Sequence, residues 1–229
     1  MSKYLIFTES SGSIFEEMAS FTIPLMEKYA KKINAGFIYD YKKEKLDYPS
    51  YGKFKIKNFL KHYDRVLFLD IDILVKPNSP NIFDVAEEGC YAAFGEGSHC
   101  DKNNQLSRLN PIEESSKNFG ISREDFEFNK DYFNNSVFIA EQIHEILFEM
   151  PENSPHMNDA TSEQNLINLR IKLNKFKTFS LPIEFNSMNW SWNKNYLDEG
   201  FFIHYAGIPH NERIALIRRD YEIILDKFS

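Results

Sequence analysis

The feature that most constrains this chain is an apolar run that ends in two aspartates, RVLFLDIDILV, residues 65–75. Four large apolar residues in succession, Val66 to Leu69, are typical of a strand buried on both faces, as in a parallel sheet covered by helices. Asp70 and Asp72 follow at the carboxyl end of that strand, where open parallel sheets bind their ligands. Side-chain alternation puts both carboxylates on the same side, where they can converge. The run therefore predicts a functional site at this edge of a sheet.

The two carboxylates admit more than one interpretation. Like charges this close repel each other, and a divalent cation between them is the simplest compensation. In one interpretation the pair holds Mg²⁺ or Mn²⁺, which grips a nucleotide diphosphate. In another, Asp70 is a nucleophile and Asp72 its general acid, as in the haloacid-dehalogenase-like phosphatases. In a third, one aspartate caps the following turn and the other is solvated.

Sequence context distinguishes the metal site from the phosphatase. The phosphatase motif normally lies on the first strand and needs a later Gly-Asp acidic pair to hold magnesium. Here periodicity predicts a strand over residues 4–7, a helix over 14–33 and a strand over 35–40 before the aspartates, and no Gly-Asp pair follows them. Such a strand, helix and strand predict a right-handed crossover in a parallel sheet. Context therefore favours a metal site.

The remaining patterns extend this α/β unit. Lysines interleaved with apolar residues predict an amphipathic helix over 51–63, and CYAAFGEG and DYFNNSVFIA predict strands. A further helix is expected to begin at Asp159 or Thr161, and a core-packing helix to end the chain. Residues 95–130 are polar without sustained periodicity, which indicates a functional loop or lid. The expected fold is α/β, with a mostly parallel central sheet flanked by helices.

Composition narrows the classes of partner. The length of 229 residues with 42% hydrophobic content suits one sizeable core, and a net charge of −7 argues against nucleic acid as a partner. No uncharged apolar stretch reaches membrane-spanning length, so we expect a cytoplasmic protein without an integral membrane segment. Cys90 and Cys100 are expected to be free thiols.

Six segments within residues 4–210 together carry a resemblance to a known family. They are YGKFKIKNFL, YDRVLFLDIDILV, YFNNSVFIA, TSEQNLIN, LPIEFN and HYAGIPH. In this order they resemble the motifs of glycosyltransferase family 8, whose enzymes have the GT-A fold. The resemblance implies one GT-A domain over residues 1–229. Residues 1–94 would form its nucleotide-binding half, and residues 95–229 its acceptor-side half with the carboxyl-terminal part of the metal site.

The resemblance also implies roles for individual residues. Asp70, Asp72 and His204 would ligate Mn²⁺ or Mg²⁺, although a lone histidine is more often an ordinary partly buried residue. Gln164 and Glu163 would be catalytic, beside the reacting sugar carbon, although Glu163 could equally cap its own helix. The residues implied to bind the donor are Thr8, Glu9, Lys53, Asp70, Asn134, Asn135, Ser136, Gly207 and His210. For the asparagine pair, an ordinary turn or strand edge is an equally good interpretation.

The expected activity is metal-dependent transfer of a hexose from a nucleotide diphosphate sugar to an acceptor hydroxyl, with retention. The donor would be of the UDP-glucose or UDP-galactose type, the acceptor a glycan, glycoprotein or lipid-linked molecule, and residues 95–130 an acceptor-side lid. His210 stands where the family usually has a lysine that steadies the diphosphate, and Arg213 or Lys53 could add charge there. The alternatives are the phosphatase with Asp70 as nucleophile and a non-catalytic sugar-nucleotide-binding protein.

Overall fold

The computed structural model describes residues 2–44, 49–99, 126–150, 162–188 and 195–228. The strands in these ranges are β1 (Tyr4–Ser11), β2 (Gly36–Lys42), β3 (Arg65–Leu69), β4 (Ile73–Val75), β5 (Tyr91–Phe94), β6 (Asn134–Ala140), β7 (Thr178–Ser180), β8 (Ser187–Met188) and β9 (Phe202–His204). The α-helices are α1 (Glu16–Lys32), α2 (Ile82–Val85), α3 (Phe128–Asp131), α4 (Ser162–Asn174), α5 (Tyr196–Glu199) and α6 (His210–Phe228). Short 3₁₀ helices cover Ser13–Phe15, Pro49–Asn58, Glu96–His99, Gln142–Phe148 and Ile183–Asn186.

The central sheet has six strands in the order β2-β1-β3-β6-β5-β7. Strand β1 lies parallel to both β2 and β3, and β5 lies parallel to β7. Strand β6 runs antiparallel to its neighbours β3 and β5. The expected α/β fold with a mostly parallel sheet is thus confirmed. A smaller sheet, β4-β9-β8, continues from the end of β3.

Strand β3 is buried on both faces, as the apolar run predicts. Val66 and Phe68 pack into one core cluster, which includes Ile167 of α4. Leu67 and Leu69 pack into another, on the side covered by α1. Each fully buried apolar side chain of this size stabilises the fold by about 1.5–3 kcal/mol. Strand β3 therefore fixes the position of the two aspartates that follow it.

The prediction of an amphipathic helix over residues 51–63 is wrong in two respects: the helix is of the 3₁₀ type, and one of its lysines is buried. The segment forms the 3₁₀ helix Pro49–Asn58, and Lys53 is only 4% exposed. Gly52 lies so close to strand β1 that an added Cβ would come within 2.2 Å of the Glu9 carboxyl group. Tyr51, Phe54 and Ile56 of this segment pack into the core cluster that includes β1, and Lys53 points inward, where it pairs with Asp70 and Glu163.

Several expectations lie wholly or partly outside the described residues. The proposed helix starts at Asp159 and Thr161 are outside them, and the helix is described from Ser162. Most of the polar segment 95–130 and Cys100 are outside as well, so the lid stays a prediction. Cys90 is free and buried. None of the helices in the described ranges combines the length and the apolar content that a membrane span needs.

Candidate active site

Asp70, Asp72 and His204 converge at the end of β3. One possible ligand atom from each lies within 4.8 Å of the other two. The Nε2 atom of His204 is 3.6 Å from Oδ1 of Asp72. Antiparallel pairing of β4 with β9 sets Ile73 opposite His204, which explains how residues far apart in sequence meet. The structure therefore brings together the three residues that the sequence indicated as metal ligands.

Hydrogen bonding around His204 fits metal coordination. Its Nδ1 atom lies 2.7 Å from Oδ1 of Asn186, an acceptor, so Nδ1 carries the proton and donates it. Nε2 is then the ring nitrogen that faces Asp72 and could bind a metal ion. Metal-binding histidines usually donate their second N–H to a protein acceptor in this way. Two carboxylates and an imidazole suit Mn²⁺ or Mg²⁺, and the residues present fit such an ion.

Asn186→Ala is expected to weaken Mn²⁺ binding by about 10–100-fold, because loss of a residue that orients a metal ligand typically has this effect. Electron paramagnetic resonance of free Mn²⁺ gives the dissociation constant. Asn174→Ala, at the exposed end of α4, is the matched control and should leave the constant unchanged. Equal affinities in all three proteins would contradict the role of Asn186.

Lys53 links the candidate metal cluster, which consists of Asp70, Asp72 and His204, to the predicted catalytic pair. Its ammonium group lies 3.4 Å from Oδ1 of Asp70, 3.1 Å from Oε1 of Glu163 and 3.1 Å from the carbonyl oxygen of Asn135. Burial alone would lower the pKa of Lys53, but Asp70 and Glu163 together raise it above its ordinary value. Lys53 is therefore a permanent buried cation between two carboxylates. Glu163 uses only Oε1 in this contact, and its buried Oε2 makes no hydrogen bond in the described part of the chain.

Gln164 is held by a buried hydrogen-bond network. Its Nε2 donates to Oε2 of Glu96 and to the hydroxyl of Tyr132, at 3.1 and 2.9 Å. Its Oε1 accepts from the backbone N–H of Asn135 at 3.1 Å. Because every one of these contacts is buried, the amide of Gln164 has a single fixed orientation.

The same network continues to the metal cluster through Asn134. Its Nδ2 donates to Glu96 at 3.1 Å, and its Oδ1 accepts from Nδ2 of Asn186 and from the backbone N–H of Ser136, both at 3.0 Å. Asn186 in turn accepts from His204. The backbone N–H of Asp70 donates to the carbonyl of Ser136 at 2.9 Å, which ties β6 to the cluster.

Sequence reasoning missed three members of this network. Asn186 is the last residue of LPIEFN, one of the six segments that resemble the family, but the sequence alone assigns it no role. Tyr132 likewise begins the YFNNS segment. Glu96 carries no local signal, because a glutamate after a strand is ordinary, and only the fold turns it to a 2% exposed position between two amide groups.

Thr8 and Glu9 lie at the carboxyl end of β1, next to β3. Thr8 is fully buried, and its hydroxyl makes no hydrogen bond within the described residues. Burial raises the pKa of Glu9 from 4.5 to about 7; Lys55 opposes this shift and Asp70 adds to it. One carboxyl oxygen of Glu9, Oε2, is also without a hydrogen bond in these ranges. Both side chains thus present unsatisfied polar atoms beside the aspartates.

The raised pKa of Glu9 predicts a pH-dependent stability difference. The folded state binds a proton that the unfolded chain has lost, so its stability falls as pH rises from about 4.5 to about 7. In metal-free buffer, Glu9→Gln should match wild type near about pH 5 and melt about 2–6 °C higher near about pH 8. Thermal unfolding between about pH 5 and about pH 8 measures this difference in melting temperature. The control is Glu222→Gln, which changes an exposed glutamate. A difference that does not change with pH would contradict the prediction.

Beyond β9, the chain turns at Gly207, whose φ of 72° favours glycine, and enters α6 at His210. The ring of His210 packs edge-on against Phe15, with 6.0 Å between ring centroids. Arg213, one turn later, donates from Nη1 to Oδ2 of Asp72 at 2.8 Å. In the described residues it is therefore Arg213, and not His210, that contacts the metal cluster.

The fold is that of the GT-A class of glycosyltransferases. It is similar to a glycosyltransferase involved in glycosylation of the major capsid of PBCV-1, with a TM-score of 0.64 and 15% identity over 94% of this chain and 98% of that one. The galactosyltransferase LgtC, in complex with donor and acceptor sugar analogs, gives a TM-score of 0.53 and 13% identity over 97% and 95% of the two chains. The glycosyltransferase GlyE of Streptococcus pneumoniae TIGR4 gives a TM-score of 0.52 and 13% identity over 99% of this chain and 63% of that one.

Residues 7–208 match the sequence profile of Glycosyl transferase family 8. The chain belongs to this family and is a glycosyltransferase, which confirms the resemblance carried by the six segments. An enzyme of this class takes a nucleotide-sugar donor and an acceptor. No curated protein sequence matches the chain.

Proposed function

We propose that this protein transfers a hexose from a nucleoside diphosphate sugar, of the UDP-glucose or UDP-galactose type, to a hydroxyl group of a glycan, glycoprotein or lipid-linked acceptor. The reaction retains the anomeric configuration and depends on Mn²⁺ or Mg²⁺ held by Asp70, Asp72 and His204. The observation that carries the proposal is the convergence of two carboxylates and an imidazole within 4.8 Å, in a chain of this family.

A bound divalent ion would neutralise charge on the departing diphosphate. The other roles fall to the chain itself. Lys53 holds the carboxylates of Asp70 and Glu163 in place through its two ion pairs, at 3.4 and 3.1 Å. Gln164 presents a neutral amide, which can orient and stabilise a developing charge without forming a strong nucleophile.

The donor is proposed to lie at the edge formed by the carboxyl ends of β1 and β3 and the amino end of β6. Thr8 and Glu9 would contact the base or ribose, since both have unsatisfied polar atoms there. Asn134, Asn135 and Ser136 would contact the sugar, with an unusually polar wall in place of the alanine and glycine typical of the family. Gly207 would let the backbone approach a phosphate, and His210 would lie farther along the same turn.

The two alternatives gain less support. A phosphatase with Asp70 as nucleophile would need a later acidic pair to hold magnesium. No second cluster of three or more acidic, histidine or cysteine ligands occurs in the part of the chain that the structure describes. A non-catalytic binding protein would not need the buried Lys53–Glu163 ion pair beside its metal site.

A thermal-shift panel with nucleotide sugars tests the proposal. UDP-glucose, UDP-galactose and GDP-mannose are each added with Mn²⁺ or with EDTA. A ligand at 100 times its dissociation constant adds about 2.7 kcal/mol, which corresponds to about 5–11 °C for a chain of this size. We expect this shift with a UDP-hexose and Mn²⁺ together, and turnover of the same donor. No shift with any donor, or equal shifts in EDTA, would contradict the proposal.

A further inference from the structure

Arg213 binds one oxygen of the Asp72 carboxylate and leaves the other oxygen facing His204. The carboxylate of Asp72 is divided between two neighbours: Oδ1 faces Nε2 of His204 at 3.6 Å, and Oδ2 accepts from Nη1 of Arg213 at 2.8 Å. The guanidinium group thus contacts the cluster through Asp72 and would be separated from a bound ion by that one carboxylate. A ligand of the metal would lie next to this cation.

The guanidinium group is also held from its other side. Nε and Nη2 both donate to the carbonyl oxygen of Ile208, at 3.2 and 2.9 Å. Of the five N–H bonds of an arginine, these contacts and the one to Asp72 use three. Two N–H bonds remain without a partner in the described residues, on a side chain that is 22% exposed. Arg213 is therefore oriented in advance and still has donors to offer.

A guanidinium group suits a diphosphate. It stays charged at every physiological pH and can donate two parallel hydrogen bonds to phosphate oxygens. His210 occupies the position where the family usually has a lysine, but its ring packs on Phe15. The cation adjoining the cluster on this helix is Arg213.

We propose that Arg213 binds the diphosphate of the donor directly and takes the part that the sequence pattern would give to residue 210. It keeps Asp72 oriented through Nη1 while its two remaining N–H bonds donate to the diphosphate oxygens. This inference rests on the proposed function, because it requires a metal-bound nucleoside diphosphate in the site. Its signature is an effect on diphosphate binding that exceeds any effect on metal or nucleoside binding.

The test compares UDP with uridine. With Mn²⁺ present, titration calorimetry for UDP and ligand-observed NMR for uridine are applied to wild type, Arg213→Met and Arg213→Lys. Loss of hydrogen bonds to a charged group predicts about 10–100-fold weaker UDP binding by Arg213→Met, with uridine changed less than about twofold. Arg213→Lys should have a UDP affinity between those of wild type and Arg213→Met. If Arg213→Met does not fold, Arg213→Lys provides the comparison with wild type. Arg218→Met, exposed on the same helix, should match wild type.

Paramagnetic resonance with Mn²⁺ alone gives a second readout. If Arg213 acts only by orienting Asp72, its variants will bind Mn²⁺ more weakly by the same factor as UDP, which would overturn the inference. Unchanged UDP affinity in both variants, or equal losses of UDP and uridine, would also overturn it while leaving the proposed function intact. Failure of wild type to bind UDP with Mn²⁺ would contradict the proposed function and this inference together.

Discussion

Asp72→Asn is expected to weaken Mn²⁺ binding by more than about 100-fold, because changes to residues that merely orient a metal ligand already cost about 10–100-fold. The substitution keeps the shape of the side chain but removes the charge that both the metal and Arg213 share. Transfer from the donor should fall at least as steeply at limiting metal. Paramagnetic resonance of Mn²⁺ and a nucleotide-release assay measure the two effects.

The control for this variant is Asp226→Asn, which removes one exposed carboxylate from α6. It changes the net charge by the same amount and should leave both measurements within about twofold, because exposed charges at this distance are screened by salt. Wild-type Mn²⁺ affinity in Asp72→Asn would contradict the metal site. Loss of folding would show as a lowered melting temperature in metal-free buffer.

Lys53→Met is expected to lower the free energy of unfolding by about 3–5 kcal/mol, because it leaves Asp70 and Glu163 in a buried site without their cation. Urea denaturation in EDTA measures the loss. Mn²⁺ should restore part of it, since a cation that binds only the folded state stabilises that state.

A double-mutant cycle separates this effect from lost packing. Glu163→Gln, added to Lys53→Met, removes one of the two stranded charges and should recover at least about 1 kcal/mol. Lys61→Met is the matched control, because Lys61 is 58% exposed in its ion pair with Glu145, which should contribute at most about 1 kcal/mol. A Lys53→Met protein as stable as wild type would contradict the buried network.

The parts of the site that sequence predicts are those encoded locally. The apolar run gives β3, its burial on both faces and the two aspartates at its end, because strand burial and side-chain alternation depend on adjacent residues. The direction of β6 could not be predicted from its sequence. Its segment shows strand character, but nothing in an alternating pattern tells whether the strand runs parallel or antiparallel to its neighbour.

Contacts between distant segments could not be derived in the same way. His204 reaches Asp72 through the register of β4 with β9, which depends on how two short strands pair, and only the family resemblance indicated it. Lys53 is buried although its neighbours alternate like a solvated helix, because its ammonium group pairs with Asp70 and Glu163 from other segments of the chain. Arg213 contacts Asp72, whereas the ring of His210 packs on Phe15, and neither contact is encoded in the local sequence.

The most direct test of the assigned activity measures the release of UDP from a UDP-hexose in the presence of Mn²⁺ and in the presence of EDTA. NMR of the anomeric carbon follows the configuration of the transferred sugar in the same reaction. We predict release that requires the metal, is lost in Asp72→Asn, and yields a glycoside with the configuration of the donor. Release at the same rate in EDTA would contradict the metal site. Absence of release from every nucleotide sugar, with hydrolysis of a simple phosphate ester instead, would contradict the assigned activity itself.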